Sequence, residues 1–275
     1  MTRPTLRAPG RKPVQLRATH PSPGLESEYR RRLDAMLKRM ETETVRTIRL
    51  TWEDDPPEMA ADISPAAALT AALAALKRRW AKLFTDFAHN WGRRFTAQAM
   101  ASTDRSFASS LRKIGFTVKF QMTDAMQDVF TATVSEQVNL IKSIPDNLLT
   151  QVQSHVVQSV TVGGDIGALA KTLETQFGVA RRRAQLIARD QNNKATANFT
   201  MVRQLQVGIT KARWLHSGGG RHPRPTHVKA GRDRVIYEVN HGWYDPHEKR
   251  HIYPGELINC RCVSISVIPG LEDDS

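Results

Sequence analysis

Leu69, Leu73, Leu76, Trp80, Leu83 or Phe84, Phe87, Trp91 and Phe95 recur every three or four residues, a spacing that places them on one stripe of an α-helix. A stripe this rich in aromatic rings reads as core rather than as a cofactor box, so it commits this part of the chain to a long helix with one buried face. Ser64 and Pro65 supply a start, since serine caps and proline suits the first turn, and the helix is expected to run past Met100. Upstream, Leu25, Tyr29, Leu33, Met36 or Leu37, Met40, Thr44 and Ile48 form a second stripe. It ends at Glu53-Asp54-Asp55-Pro56-Pro57-Glu58, because the residue before a proline is pushed out of the helical region.

Downstream, Lys113 to Phe120 breaks the period and reads as a short extended crossing. A third helix is expected over 123–144 (Met126, Phe130, Val134, Val138, Ile141) and a fourth over 145–162. The Val162-Gly163-Gly164-Asp165 turn follows. Two more helices are predicted, one from a capping Asp165 to a stop at Gly178, the other over 179–208 with Ala184, Ile187, Ala188, Ala195, Phe199 and Val202 inward. From Thr210 the texture changes to short β-like runs, "ARWLH", "RVIYEV" and "INCRCVSISV", separated by glycines, prolines and histidines. The expected fold class is therefore α+β: a mainly helical N-terminal region, then a small C-terminal α+β module with short antiparallel strands. The expected division is a flexible basic arm over 1–24, a helical region over 25–162 and the module over 163–275.

A formal net charge of +13 implies a polyanionic neighbour such as nucleic acid or an acidic protein surface. In the arm, Arg3, Arg7, Arg11, Lys12 and Arg17 stand among five prolines, with too little apolar surface to offset ordering. Arg181, Arg182 and Arg183 decorate the last predicted helix, and Arg221 and Arg224 flank the Ser217-Gly218-Gly219-Gly220 loop. These ten cations are the candidate contacts to DNA or to a partner, the alternative for each being a solvated face. No apolar run approaches the ~20 residues of a spanning helix, so no membrane partner is expected. The first 24 residues lack the apolar core of a secretory signal. Two cysteines form no disulfide framework, and a reducing cytoplasm is the default.

Those cysteines, Cys260 and Cys262, share one face of what reads as a strand. Their Cα atoms would lie ~6.5–7 Å apart, at or beyond the usual limit for a disulfide. Two uses remain. They are small hydrophobes on the core face, or they bind structural zinc together with His247 and His251, with His227 as an alternative ligand. "HEKRH" at 247–251 also matches the H-E-x-x-H pattern of zinc hydrolases, in which Glu248 would activate water. That chemistry needs a long helix, whereas Pro246, Pro254 and Gly255 crowd this stretch. Phosphate-loop and nucleophile-elbow patterns are absent, and no small-molecule substrate is expected.

From about Asp165 to Pro269 the order of elements resembles the phage Mu F-like minor head proteins, the phage head morphogenesis family. The resemblance is carried by the "DIGALAKTLETQFG" helix, the arginine-rich helix after it, the Gln204–Ile209 exit and the strand with Trp214. It continues through the basic loop with Arg224, His227 and Gly231, and closes on "PGELINCRC" from Pro254 to Cys262. Trp214, His227, Pro254, Asn259, Cys260, Arg261 and Cys262 are its structural motif. Arg189, Asp190 and Gln191 stand where the family tends to carry Arg-Thr-Glu.

The resemblance implies a minor capsid protein of a tailed bacteriophage virion, not an enzyme. Such a protein would be assembled in the host bacterial cytoplasm, associate with the portal protein and other head proteins at the portal vertex, and act near double-stranded DNA in packaging or delivery. A zinc-dependent hydrolase and a free nucleic-acid-binding protein are the alternatives. Asn259 is expected to bond a loop backbone and Arg261 to pair with Glu238 or Glu256.

Overall fold

The computed structural model describes residues 14–54, 63–161, 166–220 and 222–268. Arg3, Arg7, Arg11, Lys12 and Arg221 lie outside the described residues, as do Asp165 and the rest of the 162–165 turn. The elements run β1 (Val14–Gln15), α1 (Pro23–Asp54), α2 (Ile63–Arg112), α3 (Asp124–Thr161), α4 (Ile166–Gln206), β2 (Lys211–Leu215), α5 (Pro225–Arg232), β3 (Ile236–Glu238), β4 (Trp243–Asp245), β5 (Arg250–Ile252) and β6 (Val263–Ile268). The expected class is borne out: long helices first, then short antiparallel strands.

Two expected helix breaks do not occur. Pro145 lies inside α3 rather than between two helices. A proline there costs ~3 kcal/mol through a lost hydrogen bond and a ring clash. The apolar stripe continues through it as Ile141, Ile144, Leu148, Leu149, Val152 and Val156, all buried, and that burial outweighs the break. Gly178 likewise sits within α4, where Leu169, Leu173, Phe177, Ala180 and Ala184 keep one buried line across it. The helix ends instead at Gly208, whose φ of 80° is the left-handed region that glycine enters freely. There the Gly208 N–H donates to the Leu205 carbonyl and the Ile209 N–H to Gln204.

The chain folds into two compact units, and they do not divide at 162/163. One holds residues 26–95 and 134–188. The other holds 96–133, 189–275 and the segment up to Leu25. Helices α2, α3 and α4 each contribute to both, because long helices continue wherever the apolar stripe does.

In the helical unit the predicted stripes form the core, with Leu33, Leu37, Trp80, Phe84 and Phe95 almost fully buried. Tyr29 stands between Trp91 and Phe95, ring centroids 5.5 and 4.9 Å away, and its hydroxyl donates to Gln137 Oε1 at 2.6 Å. Burial pushes that phenol well above its ordinary range, and Glu136 adds to the effect. Gly92 lets α3 come close: a Cβ there would meet Gln137 Cβ at 3.4 Å.

The second unit is built on a four-stranded antiparallel sheet of order β1-β6-β2-β3, with β4 and β5 as a separate hairpin. Val14 and Gln15 pair with Ile268 and Val267, so the expected flexible arm does not reach 24. Leu16 explains this, being buried against Phe107, Leu111 and Ile209. Arg203 is 2% exposed and donates to both carboxylate oxygens of Asp104, at 2.7 and 2.9 Å, and to the Gln121 carbonyl at 2.6 Å.

Two substitutions test these packing arguments. Asp104→Ala leaves the Arg203 guanidinium buried without its counter-charge, holding only the Gln121 carbonyl and Gln206, and should cost ~2–3 kcal/mol in urea unfolding. A loss below ~1 kcal/mol would show that the pair does not hold the unit together. Gly178→Ala should stabilise by ~0.5–1 kcal/mol, because the added Cβ meets only Arg182 Nη1 at 3.7 Å and the unfolded chain loses freedom. A lower midpoint would mean that α4 is not continuous there.

Candidate functional site

The element that ends the resemblance, Pro254 to Cys262, is not a strand. Cys260 and Cys262 precede β6 in a loop whose turn depends on Asn259, a non-glycine residue at φ 62°. Asparagine tolerates that conformation, and two residues of α4 hold it. Asp190 Oδ1 accepts the Asn259 N–H at 2.8 Å, and Arg189 Nη2 donates to Asn259 Oδ1 at 2.9 Å. Asn193 Nδ2 donates to the Cys260 carbonyl at 3.0 Å. The expectation that Asn259 bonds backbone is thus replaced by side-chain clamping from α4. Arg261 is exposed near Gly219. Its two proposed partners are engaged elsewhere, Glu256 by Arg250 at 2.6 Å and Glu238 near Lys211 at 3.7 Å.

The bend turns both thiols inward, into a cluster with Ala212, Trp214, Ala230, Tyr237, Val239, Ile252 and Leu257. His227 meets them there. The expected basic loop around it is the short helix α5, which begins at Pro225, a residue suited to a first turn. His227 and Ala230, three apart, form its buried face. Gly231 is required for the seat, since a Cβ there would come 2.4 Å from His216 Cβ.

His227 Nδ1 lies 3.4 Å from Cys260 Sγ and 3.9 Å from Cys262 Sγ. On the far side of the ring, Nε2 lies 3.4 Å from Asp245 Oδ2, and the Asp245 side chain is wholly buried. Asp245 is itself oriented by the Thr226 hydroxyl at 3.1 Å and the His247 N–H at 2.9 Å. The Trp214 ring stands edge-on to His227 at 4.9 Å, and Trp243 packs beside both, 5.1 Å from Trp214 and 6.4 Å from His227. The Gly255 N–H reaches Cys260 Sγ at 3.4 Å. The hydrogen bond from Cys262 lowers the Cys260 pKa against the opposing effect of burial, and His227 lowers it further. Donating that proton and burial both push Cys262 up.

The other expected ligands lie elsewhere. His247 is in the β4–β5 turn with its side chain 79% exposed, and His251 is on β5, exposed, its ring 5.4 Å from that of Tyr244. The alternative ligand His227 is the histidine that joins the thiols. The H-E-x-x-H helix does not form either. Residues 246–249 are the hairpin turn, with Lys249 at φ 55° and its N–H on the Asp245 carbonyl. Asp245 has no spacing signal in the sequence, and the only cue to it is a carboxylate directly before the Pro246 turn.

The candidate cations also divide. Arg181 is paired with Glu41, Arg183 donates to Ser143 Oγ at 3.0 Å, and Arg224 donates to the Ile258 carbonyl at 3.1 Å. Arg17 and Arg182 are exposed. A second set escaped the sequence expectation: Arg31, Lys38, Arg39, Arg46 and Arg49 are all exposed on α1, while two of its acids, Glu41 and Glu43, bind Arg181 and Arg79. Helical spacing from the buried stripe would have revealed this face.

Residues 150–265 match the family described as Phage Mu protein F like protein, so the resemblance expected from 165 to 269 is borne out. A Haemophilus influenzae protein described as "Uncharacterized protein" is 29% identical over 191 residues, 68% of this chain and 41% of its own length. The chain thus spans less than half of that relative. No solved structure matches the chain.

Gly255 carries the closing loop past α4 at φ 90°, where a Cβ would stand 3.1 Å from Ala197 Cβ. Gly255→Ala should therefore destabilise by more than ~1 kcal/mol, measured as a drop in the urea midpoint. An unchanged midpoint would show that the loop is not pressed against the helix.

Proposed function

We propose, starting from the match of residues 150–265 to the Phage Mu protein F like family, that the chain is a head morphogenesis protein of a tailed phage. In the same reading it is a minor capsid component at the portal vertex of the virion, in contact with portal and other head proteins and close to packaged DNA. The family match carries the proposal. The distribution of charge supports it independently. Internal pairs neutralise Arg181 and Arg203, whereas α1 presents Arg31, Lys38, Arg39, Arg46 and Arg49 to solvent on one helix. A row of cations on a rigid helix gains affinity for a phosphate backbone, or for an acidic protein surface, by releasing counterions.

The role is assembly rather than catalysis. The polar groups of the closing element serve to hold a loop: Asn259 is clamped by Arg189 and Asp190, and the buried thiols are 3% and 5% exposed. Among the described residues no helix is long and apolar enough to cross a membrane.

Crosslinking mass spectrometry on purified immature heads tests this reading. Links between the portal and the helical residues of α1 to α3 are the expected result. Their absence, with the portal well covered by links to other head proteins, would remove the portal assignment.

A further inference from the structure

We propose that His227 Nδ1, Cys260 Sγ and Cys262 Sγ bind a zinc ion that fastens helix α5 to the closing loop. The three donor atoms all lie within 4.8 Å of one another and all three residues are buried. Tetrahedral zinc with bonds of about 2.3 Å to sulfur and 2.0–2.1 Å to nitrogen sets its ligands ~3.8 Å (S···S) and ~3.6 Å (S···N) apart. The observed N···S separations, 3.4 and 3.9 Å, bracket that value. Small side-chain adjustments suffice to close the triangle on an ion.

The surroundings fit a ligating histidine. Zinc-bound imidazole keeps its second nitrogen on a carboxylate, which fixes the tautomer and aims the free lone pair at the metal. Here Asp245 Oδ2 stands 3.4 Å from Nε2, a buried nitrogen with no other hydrogen-bond partner that a small ring rotation would bring onto the carboxylate, while Nδ1 faces both sulfurs. Asp245 is fully buried and oriented by Thr226 and the His247 amide, so it is a built part of the site. Charge gives a second argument. Two buried thiolates are prohibitively costly alone, and a divalent ion cancels both, so that of the buried charges in the site only the Asp245 carboxylate is left to balance. Trp214, Trp243 and Leu257 then supply the apolar shell that strengthens coordination.

Among the described residues no fourth histidine, cysteine or carboxylate joins the three. The three protein donors leave the fourth tetrahedral position open. An open position otherwise marks a catalytic zinc, but here the three ligands are 2%, 3% and 5% exposed, which keeps substrates out. The ion acts as a staple between segments more than thirty residues apart in sequence.

The test uses the full chain purified without a histidine tag. Elemental analysis should find about one zinc per chain. A chelator should lower Tm, and zinc but not magnesium should restore it. Cobalt substitution should give a thiolate-to-metal charge-transfer band. Cys260→Ser and His227→Ala should lose the metal, and His247→Ala/His251→Ala should retain it. Because the first two variants can misfold, the chelation result on the unaltered chain stands as the independent readout. A metal-free chain whose Tm ignores chelator and added zinc would overturn the proposal. So would loss of metal in His247→Ala/His251→Ala with the fold intact, since that would assign the ion to other ligands.

Discussion

One helix face that should be apolar is not, and the second unit depends on it. Between Asp190 and Gln204, α4 buries Asp190, Gln191, Asn192, Asn193, Thr196, Thr200, Arg203 and Gln204. Buried polar groups are costly unless paired, so each partner they take is fixed in place. Asn192 holds the Ser22 carbonyl, Asn193 the Cys260 carbonyl, and Arg203 the Asp104 carboxylate. Gln204 Nε2 donates to both Ser264 and Ser266 on β6, at 3.1 and 2.8 Å. The N-terminal segment, the end of α2, the closing loop and the central strand are thereby registered against a single rod. An apolar helix would bind the same elements without specifying where each one stops.

This arrangement also explains why the fold class was legible in the sequence while the boundaries were not. Periodicity reports burial, and the stripes from Leu25 and Leu69 did become the core. Pro145 and Gly178 look like punctuation because local backbone preference opposes helix there, but long-range packing across them is larger than either local cost. Gly208 differs because its glycine coincides with the end of the stripe. Within the site, the two cysteines were evident from their rarity, and their inward face was anticipated. The partner histidine was not resolved among several, since which imidazole meets the thiols is set by α5 folding back onto β2. That is a tertiary fact with no spacing signature. Asp245 was invisible for the same reason.

Charge in this chain serves opposite ends. Arginines that face inward are matched one by one, as Arg203 is by Asp104 and Arg181 by Glu41, and these contribute specificity to packing. Among the described residues, Arg31, Lys38, Arg39, Arg46 and Arg49 on α1 take part in no such pair, while Glu41 and Glu43 of the same helix bind Arg181 and Arg79. These five cations of α1 thus face the surroundings of the chain. Sequence counting alone averages the two populations, which is why Arg181 and Arg183 looked as available as Arg182.

The pairing of β1 with β6 sets the mechanical character of the molecule. Val14 lies opposite Ile268, and Gln15 opposite Val267, with Leu16 N–H reaching the Ser266 carbonyl at 3.1 Å. The two strands run in opposite directions, so the chain enters β1 and leaves β6 at the same corner of the sheet. Tension applied to both flanks would peel the pair open one hydrogen bond at a time, the geometry of a zip rather than of a lap joint. The first to yield would be Val14, then Leu16 would leave Phe107 and Leu111. A load shared between the two flanks would therefore release the two-residue strand β1 long before it reached the helices.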